Sequence, residues 1–127
     1  MSDTTTLGIR VQVHPAYLPE RSAPDRGTYL FAYRIHLTNQ SDRTVRLLRR
    51  HWVITDGHGH VEEVEGAGVV GETPVLRPGA SFDYTSFCPL PTPFGTMHGT
   101  YLMRAEDGTQ FDVEIGQFTL IAPGAVN

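Results

Sequence analysis

At 127 residues the chain is the length of one domain, and its 39% hydrophobic and 19% charged content is that of a globular protein rather than a disordered one. A net charge of −4 argues against a general binder of nucleic acid or anionic membrane. All ten basic residues are arginine, which removes lysine Schiff-base chemistry and any P-loop, and the single cysteine, Cys88, rules out an intrachain disulfide and a four-cysteine zinc site.

A lone thiol suits a reducing compartment. The start, Met1 to Thr6, lacks the basic and apolar regions of a signal peptide, and no apolar run is long enough to span a bilayer. The expected address is the cytoplasm. No linker or repeat divides the chain, so one domain over residues 1–127 is expected, with its core at about 7–121 and flexible ends.

In chain order, Leu7, Ile9, Val11 and Val13 share one parity against Gly8, Arg10 and Gln12, the mark of a half-buried strand. Tyr29, Phe31, Tyr33, Ile35 and Leu37 repeat it most clearly. The segment from Thr44 to Thr55 begins with Val45 and Leu47 on one parity and ends with Leu48, Trp52 and Ile54 on the other, which predicts a β-bulge or a change of face. Val61–Val64, Phe82–Tyr84, Tyr101–Ala105 and Phe111–Ile115 are further strands, and Phe118 and Leu120 resume on the opposite phase after Gly116, predicting a second bulge.

Turn residues fall between these segments: Asn39 to Asp42, Asp56 to Gly59, Arg77 to Gly79, and the hairpin signal Asp107-Gly108. No window shows helical periodicity. About seven short strands without helices predict an all-β, two-sheet β-sandwich of immunoglobulin or fibronectin type III kind, with Trp52 in its core. A small barrel is the alternative, since counting strands does not separate the two.

An ordered set of strings resembles the ApaG family. They are Ser22-Ala23-Pro24 with Tyr29-Leu30-Phe31-Ala32-Tyr33, Leu47 to Thr55, Gly66 to Gly71, Pro78-Gly79, Tyr84-Thr85-Ser86 and Gly95 to Tyr101. The resemblance spans residues 7 to 121 and implies a fibronectin type III-like sandwich. That family's domain also occurs in eukaryotic F-box proteins, and its members are linked by genetic context to diadenosine tetraphosphate hydrolysis and to cobalt and magnesium tolerance. Ala67 stands where the family usually has glutamate and Phe87 where it usually has glycine.

Three constellations are candidate sites. Gly66-Ala67-Gly68-Val69-Val70-Gly71 matches the spacing G-x-G-x-x-G, but Pro74 and Pro78 follow it, forbidding the helix whose N-terminus gives that motif its hold on phosphate. Gly66, Gly68 and Gly71 are therefore expected in a crossing loop, where amides form at most a weak anion nest. Asp56, His58 and His60 combine a carboxylate and two imidazoles of metal-binding type, set against the reading of an ordinary hairpin tip. Arg46, Arg49 and Arg50 concentrate positive charge in one strand: Arg50 shares parity with Trp52 and is expected to pair internally, with Glu63, while Arg49 and His51 face the other way toward an anion or an acidic partner.

Catalytic signals are missing. No nucleophile elbow occurs, Cys88 is expected in an apolar loop as an inert thiol, and Glu62 and Glu63 point to opposite faces. The expectation is a non-catalytic binding module without cofactor, a monomer or weak homodimer recognising a protein partner, and neither nucleic acid nor membrane. The alternative is a small-ligand sensor for a phosphate-bearing metabolite or a divalent metal.

Overall fold

The structure, a computed structural model, describes residues 1–124. Nine strands run in order: β1 (Ser2–Thr6), β2 (Ile9–Tyr17), β3 (Tyr29–Asn39), β4 (Val45–Asp56), β5 (Val61–Ala67), β6 (Val75–Leu76), β7 (Ser81–Leu90), β8 (Phe94–Ala105) and β9 (Gln110–Ile121). They form two antiparallel sheets, β1-β2-β3-β7 and β5-β4-β8-β9, with β6 also paired to β4. The sheets stay separate, so the fold is a two-sheet sandwich and not a barrel. Among the described residues the helical content is two 3-10 turns, Pro19–Arg21 and Pro24–Arg26, each opened by a proline whose fixed φ suits the first position.

Both expected bulges are present. Register shifts between Leu47 and Arg49 where β4 meets β8, leaving Leu48 as the extra residue, and again where Met97 and Gly99 of β8 face Phe118 and Ile115 of β9. The nine strands exceed the seven read from the sequence chiefly because of β6 and β1. Ser2–Thr6 carries no apolar alternation, yet it pairs along β2 from Ser2–Val13 to Thr6–Ile9, so this end is a sheet edge and not a flexible tail. The expected C-terminal flexible end falls in part on residues 125–127, outside the described residues.

Leu7 belongs to the turn and not to the strand. Leu7 and Gly8 both have positive φ, 49° and 83°, the signature of a tight two-residue hairpin. Leu7 is thereby exposed, while Ile9, Val11 and Val13 are fully buried. Cys88 is likewise in a strand and not in a loop, because β7 runs on through Pro89, which an edge strand tolerates since its N–H side needs no partner.

Where the chain crosses from β3 to the other sheet, buried Asn39 meets every bonding need. Its Nδ2 donates to the carbonyls of Arg43 and Leu76 at 2.7 and 2.9 Å, and its Oδ1 accepts from the amide and hydroxyl of Ser41. The two flanks of the sandwich differ. On one, β1 and β2 lie against β9: the Glu114 amide donates to Thr6 Oγ1, and Gly116 allows Thr4 so close that a Cβ there would lie 2.3 Å from its Oγ1. On the other, the free edges β5 and β7 make no comparable contact.

Between the sheets Trp52, 3% exposed, packs edge-on against Tyr33 and Phe118 at ring separations of 5.3 and 5.9 Å. Trp52→Ala should therefore cost about 3–5 kcal/mol through lost burial and the cavity left behind. Urea denaturation checks it; a loss below about 1 kcal/mol would place the indole outside the load of the core.

Candidate functional site

The unsealed flank holds a cleft between the inner faces of the two sheets, with a volume of about 330 Å³. That is within the range of roughly 300–1,000 Å³ usual for ligand pockets. It grows directly from strand parity. After the Leu48 bulge the even-numbered residues of β4 turn inward, so Arg50, Trp52, Ile54 and Asp56 succeed one another along one wall. The register of β5 sets Gly66 beside Arg50, Val64 beside Trp52 and Glu62 beside Ile54. Facing them, Ser86, Cys88 and Leu90 come from β7, and Tyr33 from β3. A second lobe of about 280 Å³ continues past Arg50 to Tyr84 and the turn at Val70 and Gly71.

Arg50 is the fixed point of this cleft. Its Nη1 donates to the carbonyls of Ala67 and Gly68, both at 3.0 Å. The guanidinium lies so close over Gly66 that a Cβ there would be 2.8 Å from Nη1 and 2.9 Å from Cζ. Glycine at 66 is thus the seat of the arginine. Among the described residues Arg50 has no carboxylate partner; the ion pairs are made by Arg10, Arg34, Arg43, His36 and His51. The expected Arg50–Glu63 pair does not form, because Glu63 lies on the outer face with its Oε1 2.8 Å from His51 Nε2.

The other glycines serve the backbone. Gly68 has φ 62°, and a Cβ on it would come within 2.2 Å of the Glu72 carbonyl oxygen. Val70 and Gly71, at φ 44° and 81°, form a two-residue hairpin closed by Val69 and Glu72, which exchange N–H···O bonds of 2.8 and 2.9 Å. No helix follows. The chain passes straight to β6, so the segment lacks the strand-to-helix context of a dinucleotide loop.

The candidates of the sequence separate in space. Arg50 joins Gly66, Gly68 and Gly71, whereas Arg49 turns to the outer face near Glu65 and Asp112. In the 56–60 turn, Asp56 Oδ1 accepts from the amides of His58 and His60 at 2.8 and 3.1 Å. Asp56 and His60 line the cleft and His58 does not. No three His, Cys, Asp or Glu side chains are grouped to hold a metal ion among the described residues. Tyr33, Ser86 and Glu62 also line the cleft, although no sequence motif marks them. Their alternation marks them as inward-facing, but only the pairing of the sheets brings them opposite Arg50.

Burial sets the protonation of the site. The Cys88 thiol is pushed up to about 11 by desolvation, with the Glu62 carboxylate adding to the effect. Tyr84 and Tyr101, whose hydroxyls bond each other, are raised by burial, as is Tyr33, where the Ser86 hydroxyl works the other way. The phenols stay neutral donors and the thiol stays protonated.

A family model described as the ApaG domain matches residues 19–105, a span that contains the whole wall from Tyr33 to Met97. The chain belongs to the ApaG family. A Protein ApaG from Paramagnetospirillum magneticum is 54% identical over 123 residues, which cover 97% of this chain and 95% of that protein. The Protein ApaG of Dechloromonas aromatica is 50% identical over 127 residues, the full length of both. A crystal structure from Bordetella pertussis, described as that of an ApaA protein, superposes with a TM-score of 0.89 at 49% identity, covering 91% of this chain and 94% of that one. The C-terminal domain of wzt, 11% identical with a TM-score of 0.56, shares the fold alone.

Two outcomes follow from the geometry. Gly71→Ala, in open space, should cost about 1–2 kcal/mol from its left-handed backbone, and Gly68→Ala distinctly more because its Cβ also meets the Glu72 carbonyl; equal losses in chemical denaturation would contradict this. Alkylation of Cys88 by iodoacetamide at pH 8 should run on the order of a hundredfold slower in the native protein than in urea, and comparable rates would show an open, activated thiol.

Proposed function

We propose that this domain is a non-catalytic, cytoplasmic protein-interaction module that takes a segment of its partner into the cleft between β5 and β7. The observation that carries this reading is the make-up of the cleft. Apolar walls from Trp52, Ile54, Leu90 and Met97 surround a few fixed polar groups, Arg50 foremost, which is the composition of a recognition site. The free edges of β5 and β7 border it, and edge strands offer unpaired backbone groups to an incoming chain.

The polar groups suit binding better than turnover. Arginine has no accessible neutral form, and the neighbouring thiol and phenols are held protonated by burial. Phe87, 49% exposed at the mouth with the Arg21 guanidinium 5.1 Å from its ring, supplies an aromatic anchor of the kind enriched at interfaces. No helix among the described residues is long and apolar enough to cross a membrane.

Replacing Phe87 with the photo-crosslinker benzoylphenylalanine tests the reading in cells. A discrete protein adduct should form there and not from Thr109 in the β8–β9 hairpin, and Val64→Trp, which fills the cleft, should abolish it. Adducts of equal yield from both positions, or none from Phe87, would contradict a partner-binding cleft.

A further inference from the structure

The cleft has a charge order. At the level of Arg50 the wall is a guanidinium with donors from Tyr33 and Ser86 close by. Two residues along, the level of Trp52 and Val64 is apolar. Two further, Glu62 faces inward beside Ile54, followed by Asp56. Neither Glu62 nor Asp56 has a cationic partner among the described residues, just as Arg50 has no anionic one. Arg50 and Glu62 do not neutralise each other because strand geometry holds them apart: four residues of extended chain separate their levels, about 13 Å.

We infer that the cleft selects an extended peptide segment with an acidic side chain at position i, an apolar one at i+2 and a basic one at i+4. This rests on the protein-interaction reading above. The match is one of period and of sign. An extended chain turns positions i, i+2 and i+4 to the same side at the same spacing as the wall it meets. The acidic side chain meets Arg50, whose Nη1 edge is tied to the Ala67 and Gly68 carbonyls, so the guanidinium is positioned before any ligand arrives. The apolar side chain packs against the surface made by Trp52 and Val64, and the basic one reaches Glu62. Opposite signs at the two ends also fix which way the segment lies, since reversing it sets like charges together. A phosphate group alone satisfies only the Arg50 end and leaves Glu62 without a partner.

The test is titration of the labelled protein at pH 8, following Trp52 emission and the amide signals of Gly66 and Glu62. The probe is an end-blocked peptide Ser-Glu-Ser-Leu-Ser-Arg-Ser. Saturable binding is expected, weakened about tenfold when the peptide's Glu or its Arg becomes Gln. A peptide of the same composition with Glu and Arg only two positions apart should bind no better than those single-charge forms. Arg50→Gln should lose the same tenfold on the parent peptide but nothing further on its Gln-for-Glu form, a coupling that a merely unfolded or loosened protein does not produce. The peptide substitutions make the test on the wild-type protein even if that variant fails to fold. No saturation by millimolar peptide, equal binding of the two spacings, or inorganic pyrophosphate saturating the same signals where the peptide does not would each overturn the inference. A crosslinked partner at Phe87 together with any of these results would leave the interaction reading standing and remove only the charge order.

Discussion

An arginine on the inward parity of a β-sheet has to find acceptors inside the fold, and the open flank of this sandwich is arranged around that demand. Leaving a guanidinium half-buried and unsatisfied is costly. Here the Ala67 and Gly68 carbonyls accept from Nη1, and Gly66 gives up its side chain to let the guanidinium lie on the backbone. The hairpin beyond, with Val70 and Gly71 in the left-handed region and Val69 driven fully into the core, holds those carbonyls in place. Three glycines that look like a phosphate loop thus build the seat of one side chain.

The same demand accounts for the difference between the flanks. Where β1 and β2 meet β9, small residues and backbone donors bring the sheet edges together, with Thr4 against Gly116 and Thr6 accepting from Glu114. Where β5 faces β7, the inward residues are Arg50, Glu62 and Asp56, which resist the removal of water. The sheets therefore close on one side and leave a cleft on the other. Trp52 joins the two regimes: its ring packs on Tyr33 and Phe118 in the core while also lining the cleft.

Much of the fold was legible in the sequence because period-two burial writes itself directly into residue order. The strand from Tyr29 to Leu37, the bulge after Leu47 and the one at Gly116 were all marked by phase. β1 was not, because none of its residues is fully buried, and threonines supply its β-propensity without a hydrophobic signal. The site was legible only in part. Parity put Arg50 on the face of Trp52 and sent Arg49 and His51 to the other, but pairing Arg50 with Glu63 failed because Glu63 bonds His51 on the outer face. Carbonyl oxygens are present at every residue, so no sequence pattern marks the pair that holds Arg50. The facing wall of Ser86, Cys88 and Leu90 comes from a strand some forty positions away whose register no local signal fixes.

The seat of Arg50 is most directly tested by the NMR signals of its own guanidinium. With Nη1 fixed by two carbonyls over Gly66, rotation about the terminal C–N bonds should be slow, giving resolved Nη protons in the wild type. In Gly66→Ala, where a Cβ fills the seat, those signals should merge while the amide spectrum of the core persists. Averaged Nη protons in the wild type, unchanged by that substitution, would mean that Arg50 waves freely in solvent and that the glycines have another purpose.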